Sequence, residues 1–201
     1  AILTPSDWHV GLKNEWVDLA EIKRRIQQYA IKATAFMHSW GIKTVYIANI
    51  GDIVNNVYMH KTTQAFSAEF GFYQQIVEAT HAMVEFVLMM AENFKVVYLG
   101  TIEGNHGRMS QKGETLFDDS AEYIVHHQVK SVLELSKHDN ITIDDSGYKK
   151  SQILTNINGV ETLFTHGHME QKNNANKIQK HMSIYSRNID LMIQGHFHSY
   201  T

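Results

Sequence analysis

With 201 residues, 43% hydrophobic and 19% charged, the chain has the make-up of one globular domain with room for a sizeable core. A formal charge of −3 gives no support to a strongly basic nucleic-acid binder or a membrane-surface protein, and the absence of cysteine excludes disulfides and thiolate metal sites. No stretch reaches the ~20 apolar residues of a membrane span and no basic segment precedes an apolar one, so a cytoplasmic protein without a signal peptide is expected.

Ile2-Leu3-Thr4 predicts a short strand, followed by Ser6-Asp7-Trp8-His9-Val10-Gly11. Asp7 and His9 stand two apart, so on an extended backbone both project to one side, where they can hold one borderline cation such as Mn, Fe or Zn. The bland alternative is an Asx-turn with a surface histidine. From Asn14 to Trp40 the recurrence of Trp16, Leu19, Ile22, Ile26, Tyr29, Ala30 and Ala33 predicts a helix stopped by Gly41, with Arg24 and Arg25 on a solvated face. Thr44–Ile50 is an apolar, β-branched run closed by Gly51 and reads as a buried strand. Ligands in open α/β sheets sit just past the carboxyl ends of strands, which puts Asp52 where chemistry happens. Its two oxygens can bridge two cations ~3.5–4 Å apart. Gln64 to Asn93 predicts a thickly buried helix with Phe70, Tyr73, Ile76, Met83, Phe86 and Met90 inward, while His60 and His81 read as structural or surface residues.

A third strand, Lys95–Gly100, delivers Gly104-Asn105-His106-Gly107-Arg108. The Asn amide oxygen is a neutral hard ligand, and His106 can donate to a phosphate oxygen or a leaving group; a plain Gly-Asn turn accounts for these residues equally well. Phe117 to Leu135 predicts a helix capped by Asp118, Asp119 or Ser120, with Ile124, Val125, Val129, Val132 and Leu133 inward. Its adjacent His126 and His127 point to different faces and cannot chelate one ion together. Asn140–Asp144 alternates as a half-buried strand does, and Asn158-Gly159 predicts a hairpin joining Ser151–Asn156 to Val160–Thr165. The second arm ends at His166-Gly167-His168. A polar helix over Asn173–Asn188 and a last strand, Leu191-Met192-Ile193, lead to Gly195-His196-Phe197-His198.

Thirteen histidines stand against a single proline, and the predicted strands end in Asp7/His9, Asp52, Asn105/His106, His166 and His196/His198. Core packing does not ask for a polar group at every strand exit. These are nitrogen and oxygen donors, enough for two cations sharing one carboxylate. In their order, Asp7-Trp8-His9, Gly51-Asp52, Gly104-Asn105-His106, His166-Gly167 and Gly195-His196-Phe197-His198 resemble the motifs of the calcineurin-like metallophosphoesterase superfamily, across almost the whole chain. Gly-Asn-His-Gly-Arg, with Ser-Asp-Trp-His-Val-Gly upstream, is most similar to the branch of DNA repair exonucleases and their phage-encoded relatives.

The resemblance implies an α/β (α+β) fold of four layers, two mixed β-sheets packed face to face and flanked by helices. Residues 1–201 are expected to form a single catalytic domain, cut from a longer chain, since the sequence starts without Met and stops abruptly at Thr201. It implies two divalent ions, Mn first and Fe, Zn or Ni as alternatives. Asp7, His9 and His198 would hold one, Asn105, His166 and His196 the other, with Asp52 bridging and His106 as a catalytic imidazole that binds no metal. The activity implied is hydrolysis of phosphodiester bonds, DNA among the substrates, by a metal-bridging hydroxide. The alternatives are a phosphomonoesterase or small-nucleotide phosphatase, and a non-catalytic interaction scaffold. Two positions depart from the family pattern. Gly107 stands where many members have Asp or Glu, and Asn55 where phosphatases of the family often have an Asp that pairs with the catalytic histidine. Without that carboxylate His106 is held less firmly as a cation, and is expected to act mainly as a hydrogen-bond donor on diesters rather than alkyl monoesters. Asn55 and Arg108 are the expected substrate-binding residues. The Arg108 fork matches phosphate oxygens, a surface salt bridge being its alternative role.

Overall fold

A computed structural model describes residues 1–57, 64–110, 119–169 and 176–197. Strands β1 (Ile2–Leu3), β2 (Thr44–Asn49), β3 (Lys95–Thr101) and β4 (Ile141–Ile143) form one sheet in that order, every pairing parallel. Between them run the helices α1 (Leu19–Ser39), α2 (Phe72–Ala91) and α3 (Ala121–Ser136), one after each strand. This sheet is therefore not the mixed sheet expected. Each strand returns through a helical crossover, which brings the chain back to start the next strand in the same direction. The second sheet is mixed. It orders β5 (Tyr148–Lys149), β6 (Gln152–Ile157), β7 (Val160–Thr165) and β8 (Leu191–Gln194), with β5/β6 and β6/β7 antiparallel. Strand β8 pairs parallel to β7 because helix α4 (Lys177–Tyr185) lies between them in the chain.

Alternation along the strands divides the core into three. Val45, Ile47, Val96 and Tyr98 face the helices and pack with Ile22, Ile26, Phe86 and Val129. Their neighbours Tyr46, Ala48, Val97 and Leu99 face the second sheet and meet Ile153, Ile157 and Phe164. On the far side Leu154, Leu163 and Met192 meet Ile178 and Met182 of α4. The layers are helix, sheet, sheet, helix. Since side chains alternate with period two, a one-residue slip of β2 would move Val45 and Ile47 out of the helix-facing core, each worth roughly 1.5–3 kcal/mol when buried.

Two local signals act as the sequence indicates. Gly41 (φ 63°) ends α1, with the Ile42 N–H reaching the Met37 carbonyl at 3.0 Å. Asn158 and Gly159, at φ 52° and 91°, form the two-residue turn between Ile157 and Val160.

Other expectations are corrected. Helix α1 begins at Leu19 rather than Asn14, because Asp18 caps it by accepting the Glu21 N–H at 2.9 Å. Asn14 Oδ1 instead takes the N–H groups of Trp16 and Val17 and holds a turn that leaves Trp16 79% exposed. The helix expected over Gln64–Asn93 is a 3-10 turn at Gln64–Ser67, a break, and then α2, whose Tyr73 is exposed. The break exists because Leu12 pairs with Ala68 and the Glu69 N–H donates to Gly11 O at 2.8 Å, so that backbone serves an inter-loop ladder. Val132 lies on the exposed side of α3, and β5 is a strand that no sequence pattern announced. His60, Phe117, Asp118, Asn173 and His198 lie outside the described residues. Among the described residues no helix is long and apolar enough to cross a membrane.

Candidate metal centre

The parallel pairing of β1 with β2 continues as backbone hydrogen bonds beyond their ends. Ile50 N–H donates to Pro5 O (2.9 Å), Asp7 N–H to Gly51 O (3.1 Å), His9 N–H to Asp52 O (3.1 Å) and Val10 N–H to Ile53 O (2.9 Å). Asp7 (φ 55°), His9 (φ 48°) and Asp52 (φ 52°) are all left-handed. The expectation of an extended Asp7-Trp8-His9 is thus overturned: the two side chains are aimed by a strained loop, not by a strand's pleat. Left-handed backbone costs a non-glycine residue roughly 1–2 kcal/mol. Of the eight non-glycine residues with positive φ among those described, Asp7, His9, Asp52, Asn56 and His196 belong to these loops, while Lys137 and Ser186 end helices and Asn158 turns the hairpin. Strain is concentrated where the candidate ligands stand.

Asp52 is 2% exposed and lies among them. Its Oδ1 accepts the His106 N–H at 2.8 Å, and its Oδ2 is 3.1 Å from His166 Nε2. His166 Nδ1 donates to Ile50 O at 2.8 Å, which turns Nε2 toward Asp52, and Asn105 Oδ1 lies 3.3 Å from that same nitrogen. The His196 ring stands 5.1 Å from His166, and its backbone N–H donates to Asp7 Oδ2 at 3.4 Å, an oxygen that also accepts from the Ser6 hydroxyl. The His9 and His106 rings meet edge to face at 4.5 Å. Glycines clear the space: a Cβ would fall 2.1 Å from Asp52 Oδ1 at Gly104, 2.7 Å from His166 Nδ1 at Gly51, and 2.4 Å from Ser6 Oγ at Gly195. Residues from the carboxyl ends of β1, β2, β3, β7 and β8 meet here, so the two sheets contribute to one site.

Two groups of potential ligand atoms lie within 4.8 Å of one another, one from His9, Asp52 and His106, the other from Asp52, His166 and His196. Asp52 belongs to both. Burial by itself raises the Asp52 carboxyl, but the hydrogen bond from His166, the nearby His166 and His106 imidazoles and the His106 N–H hold it down to about 2. Burial likewise opposes charge on His166, yet the Asp52 contact raises it above its ordinary value. The His166 Nε2, with acceptors Asp52 Oδ2 and Asn105 Oδ1 beside it, is satisfied either by a proton or by a cation among the three atoms. Imidazole nitrogen, carboxylate and amide oxygen without sulfur are the donor set of borderline divalent ions such as Mn, Fe, Zn or Ni, and each of the two groups could hold one.

The sequence-predicted residues fall out as follows. Asp52, His9, His166, His196 and Asn105 come together directly, and Asp7 is held beside His196 without joining either group. His106 stands within ligand reach of His9 and Asp52, although the resemblance gives it no metal bond. Its Nδ1 faces the main-chain oxygen of Asn55 at 2.8 Å. A carbonyl only accepts, so Nδ1 carries the hydrogen and Nε2 has the lone pair in the neutral ring. Asn55 therefore supports His106 through its backbone, while its amide donates to Asn56 O at 3.4 Å. Arg108 is half-buried in the same loop.

Two neighbours were not singled out in the sequence. The His168 ring is 5.5 Å from His166 and 6.4 Å from His196; burial, then the His166 imidazole and the Arg108 guanidinium, lower it to about 4. Its signal was the repeated histidine in His166-Gly167-His168. Asn56 is fully buried, and its Nδ2 donates to the carbonyls of His106 (2.5 Å) and Arg108 (2.6 Å), pinning their loop. Nothing in Asn55-Asn56 told the two amides apart.

No protein-family model matches the chain. Over 207 aligned residues it is 21% identical to the SPbeta prophage-derived uncharacterized protein YonJ of Bacillus subtilis (strain 168), an alignment that takes in 98% of this chain and 49% of YonJ. The chain thus spans about half the length of the curated relative that it matches.

Proposed function

We propose that the protein is a metal-dependent phosphoesterase that hydrolyses phosphodiester bonds, with nucleic acid as the substrate class. The observation that carries this reading is the single carboxylate, Asp52, common to two groups of potential ligands. Ions held by Asp7, His9, Asp52, Asn105, His166, His196 and His198 would supply Lewis acidity toward phosphoryl oxygens and lower the pKa of a water toward neutrality.

The chain's own residues do the rest. Asp52 stays ionised through the neutral range and serves both sides of the site. The Ile50 and Asn55 carbonyls fix the tautomers of His166 and His106, so that Nε2 of each ring is the nitrogen available for chemistry. Arg108 clamps phosphate oxygens with its fork. Water attacks phosphorus in line with the leaving oxygen and gives up its proton to bulk water. The P–O bond to that oxygen breaks, and the leaving oxygen takes the proton that His106, first protonated from solvent, carries on Nε2. The acceptor behind His106 Nδ1 is a neutral carbonyl rather than a carboxylate. A sugar alkoxide leaving a nucleic-acid diester would be stabilised by a bound ion as well, which supports the diesterase reading over a phosphomonoesterase. The prophage origin in the name of YonJ accords with the phage-encoded branch that the motifs resemble.

The test is turnover of bis-p-nitrophenyl phosphate and p-nitrophenyl phosphate with Mn2+, followed by digestion of single- and double-stranded DNA. Faster hydrolysis of the diester, abolished by EDTA, is expected. Preference for the monoester would move the protein to the phosphatases, and no turnover of either, with metal bound, would favour an interaction scaffold.

A further inference from the structure

Two buried carboxyl groups flank the loop that carries His106 and Arg108. Asp52 Oδ1 accepts the His106 N–H at 2.8 Å. Against Gly107 lies Glu122, in the first turn of α3 and fully buried. Its Oε2 accepts from the Ser120 hydroxyl at 3.0 Å, while Oε1 has no partner among the described residues. A Cβ built on Gly107 would stand 1.4 Å from Oε2 and 2.4 Å from Cδ, so the carboxyl fills the place where a side chain at 107 would begin. The same helix start is stitched to the loop: Ala121 N–H donates to Gly107 O at 2.8 Å, and Arg108 bridges to Ser120. Burying a carboxyl is costly, and packing alone is served better by an aliphatic group.

We propose that Glu122 is a positioning residue for the His106–Arg108 loop, its carboxyl setting how far that loop stands from Asp52 and hence where the His106 ring and the Arg108 fork lie. Burial, with the charge of Asp52 adding to it, raises Glu122 to about 8, so at neutral pH it is a neutral acid that glutamine mimics. The consequence for rate rests on the phosphoesterase reading. The placement of His106 is read without catalysis.

The experiment compares Glu122→Gln, Glu122→Ala, Gly107→Ala and the double variant Gly107→Asp with Glu122→Ala. The His106 ring resonances are followed by NMR in EDTA-treated protein, assigned with His106→Ala, beside melting temperature and diester kinetics with Mn2+. Glu122→Gln retains the wild-type signal. Glu122→Ala shifts or splits it and lowers kcat by about 10²-fold at nearly constant KM, the scale of a misplacement near 1 Å. The double variant, with a carboxyl restored from position 107, recovers the signal and about tenfold of the lost rate. A folded Glu122→Ala protein with an unchanged His106 signal, or a double variant no better than the single one, overturns the proposal. Should Glu122→Ala fail to fold, Gly107→Ala decides: its Cβ must push the carboxyl away and move the His106 signal, and an unmoved signal overturns the proposal equally. Absence of turnover in the wild type would sink the phosphoesterase reading, while the resonances still decide the role of Glu122.

Discussion

His106 and Glu122 show how far a single group's surroundings set its chemistry. His106→Ala is expected to keep both ions and lose rate by the ~10²–10⁴ typical of a proton-transfer group. Because the ring also stands within ligand reach of His9 and Asp52, metal analysis of this variant separates the two roles, and a lost ion would make His106 a ligand. Asn55→Asp would set a carboxylate in the segment whose carbonyl now supports His106 Nδ1, and should raise monoesterase activity relative to diesterase; an unchanged ratio in steady-state kinetics would contradict this. For Glu122 the sign is definite. Its carboxyl is raised from 4.5 to about 8, so over that range the folded protein holds a proton the unfolded chain has lost. The Glu122 carboxyl therefore costs more stability as pH rises through that window, and its cost levels off above the folded value. In EDTA-treated protein Glu122→Gln should melt above the wild type near pH 8, with the gap closing toward about pH 5. A gap independent of pH would contradict the assignment.

Among the elements, loops carry the site and the strands only deliver them. Asn56 ties the β2 loop to the β3 loop through two part-buried carbonyls, and Asn56→Ala would remove the donor they share at a cost of about 1–3 kcal/mol. A urea midpoint equal to that of the wild type would contradict this. The same scale explains what could be read in advance. Gly41 and Asn158-Gly159 were legible because a positive φ is a local demand that the residue type itself meets. The start of α2 was not, since it depends on Leu12 pairing with Ala68, a partner distant in the chain. Trp16 misled because Asn14 side-chain bonds, invisible to apolar periodicity, hold it in a turn. Two-residue β5 exists only through its pairing with β6.

In the whole molecule, carboxyl ends from a parallel sheet and from the parallel edge of a mixed sheet are brought to one place, with the His166 ring hydrogen-bonded to the Ile50 carbonyl across the interface. The ordered exits at Asp7/His9, Asp52, Asn105/His106, His166 and His196 were legible because each follows a strand. The left-handed aim of Asp7 and His9, the approach of His106 to His9 and the arrival of Glu122 from α3 arise between loops, where sequence spacing says nothing of distance. On the phosphoesterase proposal, Asp52 is the one carboxylate that joins the two ligand groups into a two-ion site. Asp52→Asn keeps the shape and removes the charge. After dialysis against Mn2+ and plasma emission analysis, the wild type should hold two ions per chain, and the folded Asp52→Asn variant at most one, with nearly all activity gone. Two ions in the variant, or none in the wild type, would contradict the account.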